Sequence, residues 1–240
     1  MNDQMMITSD NTGVLGALKV LSGKIETIRR PTGADRKSPA RTCLDLYLAA
    51  QEVGTTIDNG LYWVDPNQGC EADAIEVYCD FTSHSDRVET CVHPTQSKIS
   101  KEQHTTIYTG AHQWWSNMGS GMPISYEPSK EARVPRADYA SQMTFLRLLA
   151  TRARQTVSYH CKNGQADLKL RGTGESEFDS AHPDFELVSD SCDGSSNWNK
   201  AVMQVNTKAT ARMPIKDIAT LDAGNSGQQF GFDIGPVCFS

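Results

Sequence analysis

The chain has 240 residues, 38% of them hydrophobic, enough to bury a core in one domain or in one domain plus an appendage. A formal net charge of −6 and an isoelectric point near 5.5 argue against a nucleic-acid or anionic-membrane surface, because phosphate binding depends on Lys and Arg. No apolar run approaches the roughly 18 to 20 residues of a membrane span, and the strongest candidate, 145–150, is interrupted by Arg147.

The opening, MNDQMMITSD, has neither a basic flank nor a continuous apolar stretch, so a secretory signal would have to lie upstream. Apolar residues then recur at Val14, Leu18, Leu21, Ile25 and Ile28, in steps of 4, 3, 4 and 3. That is a heptad seam and predicts a short coiled coil within about residues 12–30; an amphipathic helix packed on its own domain is the alternative. The basic stretch 29–42, with two Pro and one Gly, separates this helix from everything downstream and favours the coiled coil. Ile25 and Ile28 occupy an a and a d position, which leans toward three strands. Gly16 and Gly23 each cost about 1 kcal/mol of helix stability, so a seam this short sets register while the globular part must supply most of the association energy.

Seven cysteines stand at 43, 70, 79, 91, 161, 192 and 238. None forms Cys-x-x-Cys and no His pair has zinc-finger spacing, so disulfides are expected, and with them an oxidising compartment and a fragment of a longer secreted chain. With seven cysteines one is left over, and spacing alone leaves the pairing open.

Between the strand-like segments LYWV and AIEVYCDF lies DPNQGCEAD, which groups Asp65, Asn67, Gln68, Glu71 and Asp73 beside Cys70. An EF-hand reading fails, because the position that needs Gly is Cys70 and Pro66 sits second in the loop. Oxygen donors at Asp65, Asn67 and Asp73 are nevertheless what calcium selects over softer metals, so a calcium loop and a plain polar turn both stand. Residues 92–136 read as loop-rich. A helix is predicted from an N-cap at Asp138 through YASQMTFLRLLATRARQ, with Met143, Leu146, Leu149 and Ala153 on one face and Phe145 and Leu148 widening it. TVSYHC, ADLKL, FELV and AVMQVN read as strands between turns, giving an α+β C-terminal part with mainly antiparallel pairing.

No catalytic pattern is present: there is no G-x-S-x-G, H-E-x-x-H, P-loop or G-x-G-x-x-G, the six His are scattered, and Glu175 and Glu177 lie in a polar turn. Catalytic residues: none are expected.

ARTC, GLYWVDPNQGCEADAIEVYCD, QMTFLRLLATRA, VSYHCKN, RMPIKDIATLDAG and the final FGFDIGPVCF, in that order along almost the whole chain, resemble the C-terminal propeptide of fibrillar procollagens. The resemblance implies an α+β protein with three parts: a trimeric coiled-coil stalk with a basic linker (1–42), a disulfide-rich calcium-binding base (43–90) and a fibrinogen-like petal (91–240). It implies Ca2+ held by the side chains of Asp65, Asn67 and Asp73 with backbone oxygens of Gln68 and Cys70, while Glu76 stands where the family usually has Lys. It implies disulfides Cys43 with Cys79, Cys91 with Cys238 and Cys161 with Cys192, leaving Cys70 for a bond between chains. The usual partner of that cysteine is here Ala49, so a homotrimer cannot form the usual inter-chain bridge and Cys70 is free, paired atypically or meant for a different chain that keeps the missing thiol; homotrimer and heterotrimer both stand.

The family often carries an N-glycosylation acceptor before YHC, and none occurs in this sequence. Partner selection is expected from residues 124–138, whose Glu127, Lys130, Glu131, Arg133, Arg136 and Asp138 alternate in charge; a solvated loop is the alternative. The expected partners are two further procollagen chains and an extracellular procollagen C-proteinase, with assembly in the endoplasmic reticulum lumen and release to the extracellular matrix. A secreted fibrinogen-like recognition module for a carbohydrate or acetylated ligand is the second reading.

Overall fold

A computed structural model describes residues 6–103, 110–119, 121–127, 134–221 and 227–240. The architecture is α+β, with three helices and two sheets among these residues. Helix α1 (Met6–Arg29) is followed by a linker that does not hang free. Gly33, at φ +61°, is buried against Leu46 and Tyr62, where a Cβ would come within 3.0 Å of Leu46. Its carbonyl accepts from Trp63 N–H at 2.8 Å, and the Ala40 carbonyl accepts from Asp65 N–H at 2.6 Å. The linker is therefore stitched along β1 (Gly60–Val64) up to the acidic loop.

Helix α2 (Cys43–Glu52) follows the linker, in a stretch for which no helix was expected. It buries Cys43 and Leu46 and leaves Leu44 and Leu48 half exposed, so no single apolar face marked it in the sequence. Helix α3 (Arg136–Leu149) corrects the predicted boundaries at both ends. Its N-cap is Pro135, and Asp138 sits in the first turn, where a carboxylate favours the helix dipole. Ala150 ends it, and Ala153 opens strand β6 (Ala153–Lys162) instead of extending the helix. The buried face is Tyr139, Gln142, Met143 and Leu146, whereas Phe145, Leu148 and Leu149 point out.

The larger sheet runs β1-β2-β3-β12-β6-β10-β9, with β4 (Lys98–Gln103) also pairing β12 (Gln229–Phe239). All its ladders are antiparallel. Strand β3 (Glu89–Val92) pairs β2 (Ile75–Asp80) on one side and β12 on the other, so the strands before and after residue 90 share one sheet. Strands β10 (Asn199–Thr207) and β9 (Phe185–Asp190) extend it, and a smaller sheet runs β5-β11-β7-β8, with β5 at Gln113–Trp114, β7 at Leu168–Arg171, β8 at Glu177–Phe178 and β11 at Asp217–Thr220. Tyr159, Phe178, Phe230 and Phe232 fill the core alongside Leu146 and Met203.

Three disulfides, Cys43–Cys79, Cys91–Cys238 and Cys161–Cys192, follow the pairing that the resemblance implies, and Cys70 is free and exposed. Among the described residues no helix is long and apolar enough to cross a membrane.

Candidate metal centre

The acidic loop runs from the end of β1 to the start of β2, closed at its far end by a short 3-10 turn, Glu71–Asp73. Strand β1 delivers Asp65 buried, and the Cys43–Cys79 bridge anchors β2 behind the loop. Gln68 turns the chain at φ +50°, a left-handed conformation that a non-Gly residue adopts at a cost of about 1 kcal/mol or more, and Gly69 follows at φ +138°. The turn is fastened from inside by Gln68 N–H to the Asp65 carbonyl and Asp73 N–H to the Cys70 carbonyl, both at 3.2 Å.

Within the loop the oxygen donors converge. Asn67 Nδ2 donates to Asp73 Oδ2 at 3.0 Å, while Gln142 Nε2, arriving from α3, donates to Asp65 Oδ1 at 2.8 Å and to Asn67 Oδ1 at 3.1 Å. Burial pushes the Asp65 carboxyl above its ordinary value; the Gln142 bond opposes this, the nearby Asp73 charge adds to it, and the Gln68 N–H opposes it again. Asp73 Oδ1 is buried and has no hydrogen-bond partner. Two carboxylates held close together, one with an orphaned oxygen, make a donor set short of positive charge, which a hard divalent cation satisfies. The side chains present at 65, 67 and 73 fit such an ion by their oxygen donors and their charge. Glu76 is exposed on β2, in register with Trp63.

One further cluster brings three ligand atoms within 4.8 Å of one another among the described residues, Glu89 with Cys91 and Cys238. It is no metal site, since both sulfurs are spent on a disulfide. Glu89, almost wholly buried, instead receives Arg154 Nε at 2.7 Å and Arg87 Nε at 3.3 Å.

A groove of about 780 Å³ opens beside the loop, bounded by the end of α1, the linker and α2, and lined among others by Ile28, Leu48, Ala49, Asp65 and Gln68. Ala49 and the neighbours of Cys70, Gly69 and Glu71, therefore face the same space. The seam residues Val14, Leu18, Leu21, Ile25 and Ile28 are 55% to 73% exposed, and so are the off-seam Leu15 and Val20.

The six residues of the proposed selection segment divide. Lys130, Glu131 and Arg133 lie outside the described residues. Glu127 and Arg136 form an exposed ion pair at 2.5 Å, and Asp138 is partly buried in the first turn of α3. The segment is rooted by buried Ile124 and Tyr126 on one side and Val134 and Tyr139 on the other. Gln142 is the residue that sequence reasoning missed. Its signal was available: a glutamine placed between Tyr139 and Leu146 on an apolar helical face needs a buried polar partner.

The sequence model of the Fibrillar collagen C-terminal domain matches residues 10–239. The chain is 36% identical to the Collagen alpha-2(I) chain of Oncorhynchus mykiss over 99% of its own length, 38% to the Collagen alpha-1(II) chain of Xenopus tropicalis over 94%, and 39% to the Collagen alpha-1(I) chain of Gallus gallus over 92%. It spans only 16% to 18% of the length of these relatives. The chain belongs to the family of fibrillar collagen C-terminal domains.

Proposed function

We propose that the chain is the assembly module of a fibrillar procollagen: three such modules associate, fix the register of the collagenous chains they terminate, and so nucleate the triple helix. The role is structural and not enzymatic. The observation that carries it is the exposure of the α1 seam, five apolar side chains on one helical stripe with more than half of each surface open to solvent. A stripe of that length is the kind of surface soluble proteins keep for a partner, and its 4-3 spacing fits helices like itself. Leu44 and Leu48 on α2, both about half exposed, extend the apolar surface toward the groove.

The physical logic is entropic. Bringing three long disordered chains into one register is improbable unless a folded trimer first raises their effective concentration. In this reading Ca2+ is held by Asp65, Asn67 and Asp73 with the Gln68 and Cys70 carbonyls, and it stiffens the base beside the groove. Residues 124–138 discriminate between partners through pairing and repulsion of charge. Cys70 finds no thiol at Ala49, so it stays free, pairs atypically, or bridges to a different chain that keeps the missing thiol; the trimer is either of like chains without that bridge or of unlike chains with it. Assembly takes place in the endoplasmic reticulum lumen, and an extracellular procollagen C-proteinase then removes the module from the secreted molecule.

The test is to fuse a short Gly-X-Y segment upstream of residue 1 and follow its refolding by circular dichroism and protease resistance. The expected result is faster triple-helix formation, in a single register, than for the segment alone. Refolding at the rate of the isolated segment, both alone and with a partner module that carries the missing cysteine, would remove the assembly role.

A further inference from the structure

We propose that Gln142 positions the acidic loop for its cation and couples that loop to α3, an inference that rests on the metal reading above. The side chain has no solvent exposure and sits on a helical face whose other members, Tyr139, Met143 and Leu146, serve the core. Filling space there does not require an amide, and a buried carboxamide is costly unless its groups are satisfied. Every polar contact of this one is with the loop.

Nε2 reaches Asp65 Oδ1 at 2.8 Å, Asn67 Oδ1 at 3.1 Å and the Asp73 carbonyl at 3.2 Å, and Oε1 accepts from Asn67 N–H at 3.1 Å. The amide orientation is fixed by these partners, since turning it over would set Oε1 against three acceptors and the NH2 group against an N–H. Two hydrogens shared among three acceptors hold the Asp65 carboxylate, the Asn67 side-chain oxygen and the Asp73 main-chain carbonyl around a single nitrogen atom, and the Asp73 carboxylate is tied in through the Asn67 amide at 3.0 Å. That gathering is what a multi-oxygen cation site needs, and Gln142 supplies it before any ion arrives.

The same side chain makes the loop a neighbour of the selection segment. Helix α3 starts at Arg136, at the end of the 124–138 stretch, and Gln142 lies under two turns further on. Any tightening of the loop is thus passed to the helix through four hydrogen bonds carried by one residue.

The test compares the 240-residue chain with Gln142→Met and Gln142→Glu. Calcium titration calorimetry, thermal unfolding in calcium and in EDTA, and hydrogen exchange of α3 amides are measured for each. Gln142→Met keeps the volume and removes the amide; calcium Kd should rise about 10- to 100-fold, the calcium-induced rise in Tm should shrink, and α3 protection should no longer respond to calcium. Gln142→Glu sets a carboxylate against the Asp65 carboxylate and the Asp73 main-chain carbonyl, so its calcium-induced rise in Tm should exceed that of the parent chain, and this variant decides the matter if Gln142→Met fails to fold. A parent chain that binds calcium while both variants keep its Kd and its Tm increment overturns the role of Gln142 alone. A parent chain that takes up no calcium overturns the metal reading and this inference together.

Discussion

In α3, Tyr139, Met143 and Leu146 recur at helical spacing and are buried; in α1, Val14, Leu18, Leu21, Ile25 and Ile28 recur as regularly and are more than half exposed. The difference lies in the chain downstream of each helix. After α3 the chain turns at Ala150 directly into β6, a central strand of the larger sheet, and Thr210 Oγ1 caps the helix end by donating to the Arg147 carbonyl at 2.7 Å. After α1 comes a linker whose bonds run to β1 and α2 and not back to the helix seam. Periodicity says which face of a helix is apolar; connectivity decides whether the same chain can cover it. The body should therefore lose stability when its side chains are cut, and cutting those of α1 should cost association instead.

The largest effect is expected from the Cys91–Cys238 bridge, which closes a span of 147 residues and ties β3 to β12. Replacing both cysteines by Ala should lower unfolding free energy by about 4 to 5 kcal/mol through the entropy returned to the unfolded chain. Urea unfolding measures it, and an unchanged midpoint would mean that the sheet needs no covalent closure. Leu146→Ala, in the fully buried face of α3, should cost about 2 to 5 kcal/mol in the same assay.

A smaller, pH-dependent effect is expected at Asp80. Burial pushes its carboxyl upward, but hydrogen bonds from Ser83, Thr82 and Asn59 outweigh that and hold it below its ordinary 3.8. Because the folded value is depressed, this contribution is fully present above about pH 4 and is lost as pH falls through the folded value. Asp80→Asn should accordingly flatten the acid limb of the stability profile below about pH 4 while changing little of its shape at neutral pH. The smallest effect on the body belongs to the seam: Leu21→Gln should move the stability of the isolated chain by less than about 0.5 kcal/mol, yet reduce the oligomeric fraction in gel filtration. A stability loss of several kcal/mol there would mean that α1 packs on its own body after all.

Much of the fold is legible in the sequence, and the failures have physical causes. Strands β1, β2, β6 and β10 declare themselves by their apolar and β-branched runs, and the donors of the acidic loop by their chemistry. Strand β12 does not, since Gly231, Gly235 and Pro236 punctuate it like a turn. Yet it pairs with β3, β4 and β6. Gly235 is required there because a Cβ would lie 2.8 Å from the Thr156 carbonyl oxygen, and the register shifts between Ile234 and Val237, which accommodates a proline without an N–H. The segment 150–155 looks helical by composition, but pairing of β6 with β10 and β12 buries Ala153 and Gln155 and overrides that propensity. In the candidate site, Asp65, Asn67 and Asp73 are visible as a cluster because they are close in sequence, whereas Gln142 is at least 69 residues away from all of them and only the fold brings it in.

The central claim is assembly through a seam and a base that the single chain leaves uncovered. Sedimentation equilibrium of the purified chain in millimolar calcium, and again in excess EDTA, tests it most directly. For the chain alone the account predicts a species of three times the 26.4 kDa chain mass in calcium that weakens in EDTA, and for a chain that assembles only with others the same mass once a partner module carrying the missing cysteine is added. A species of single-chain mass in calcium, with and without such a partner, would contradict it.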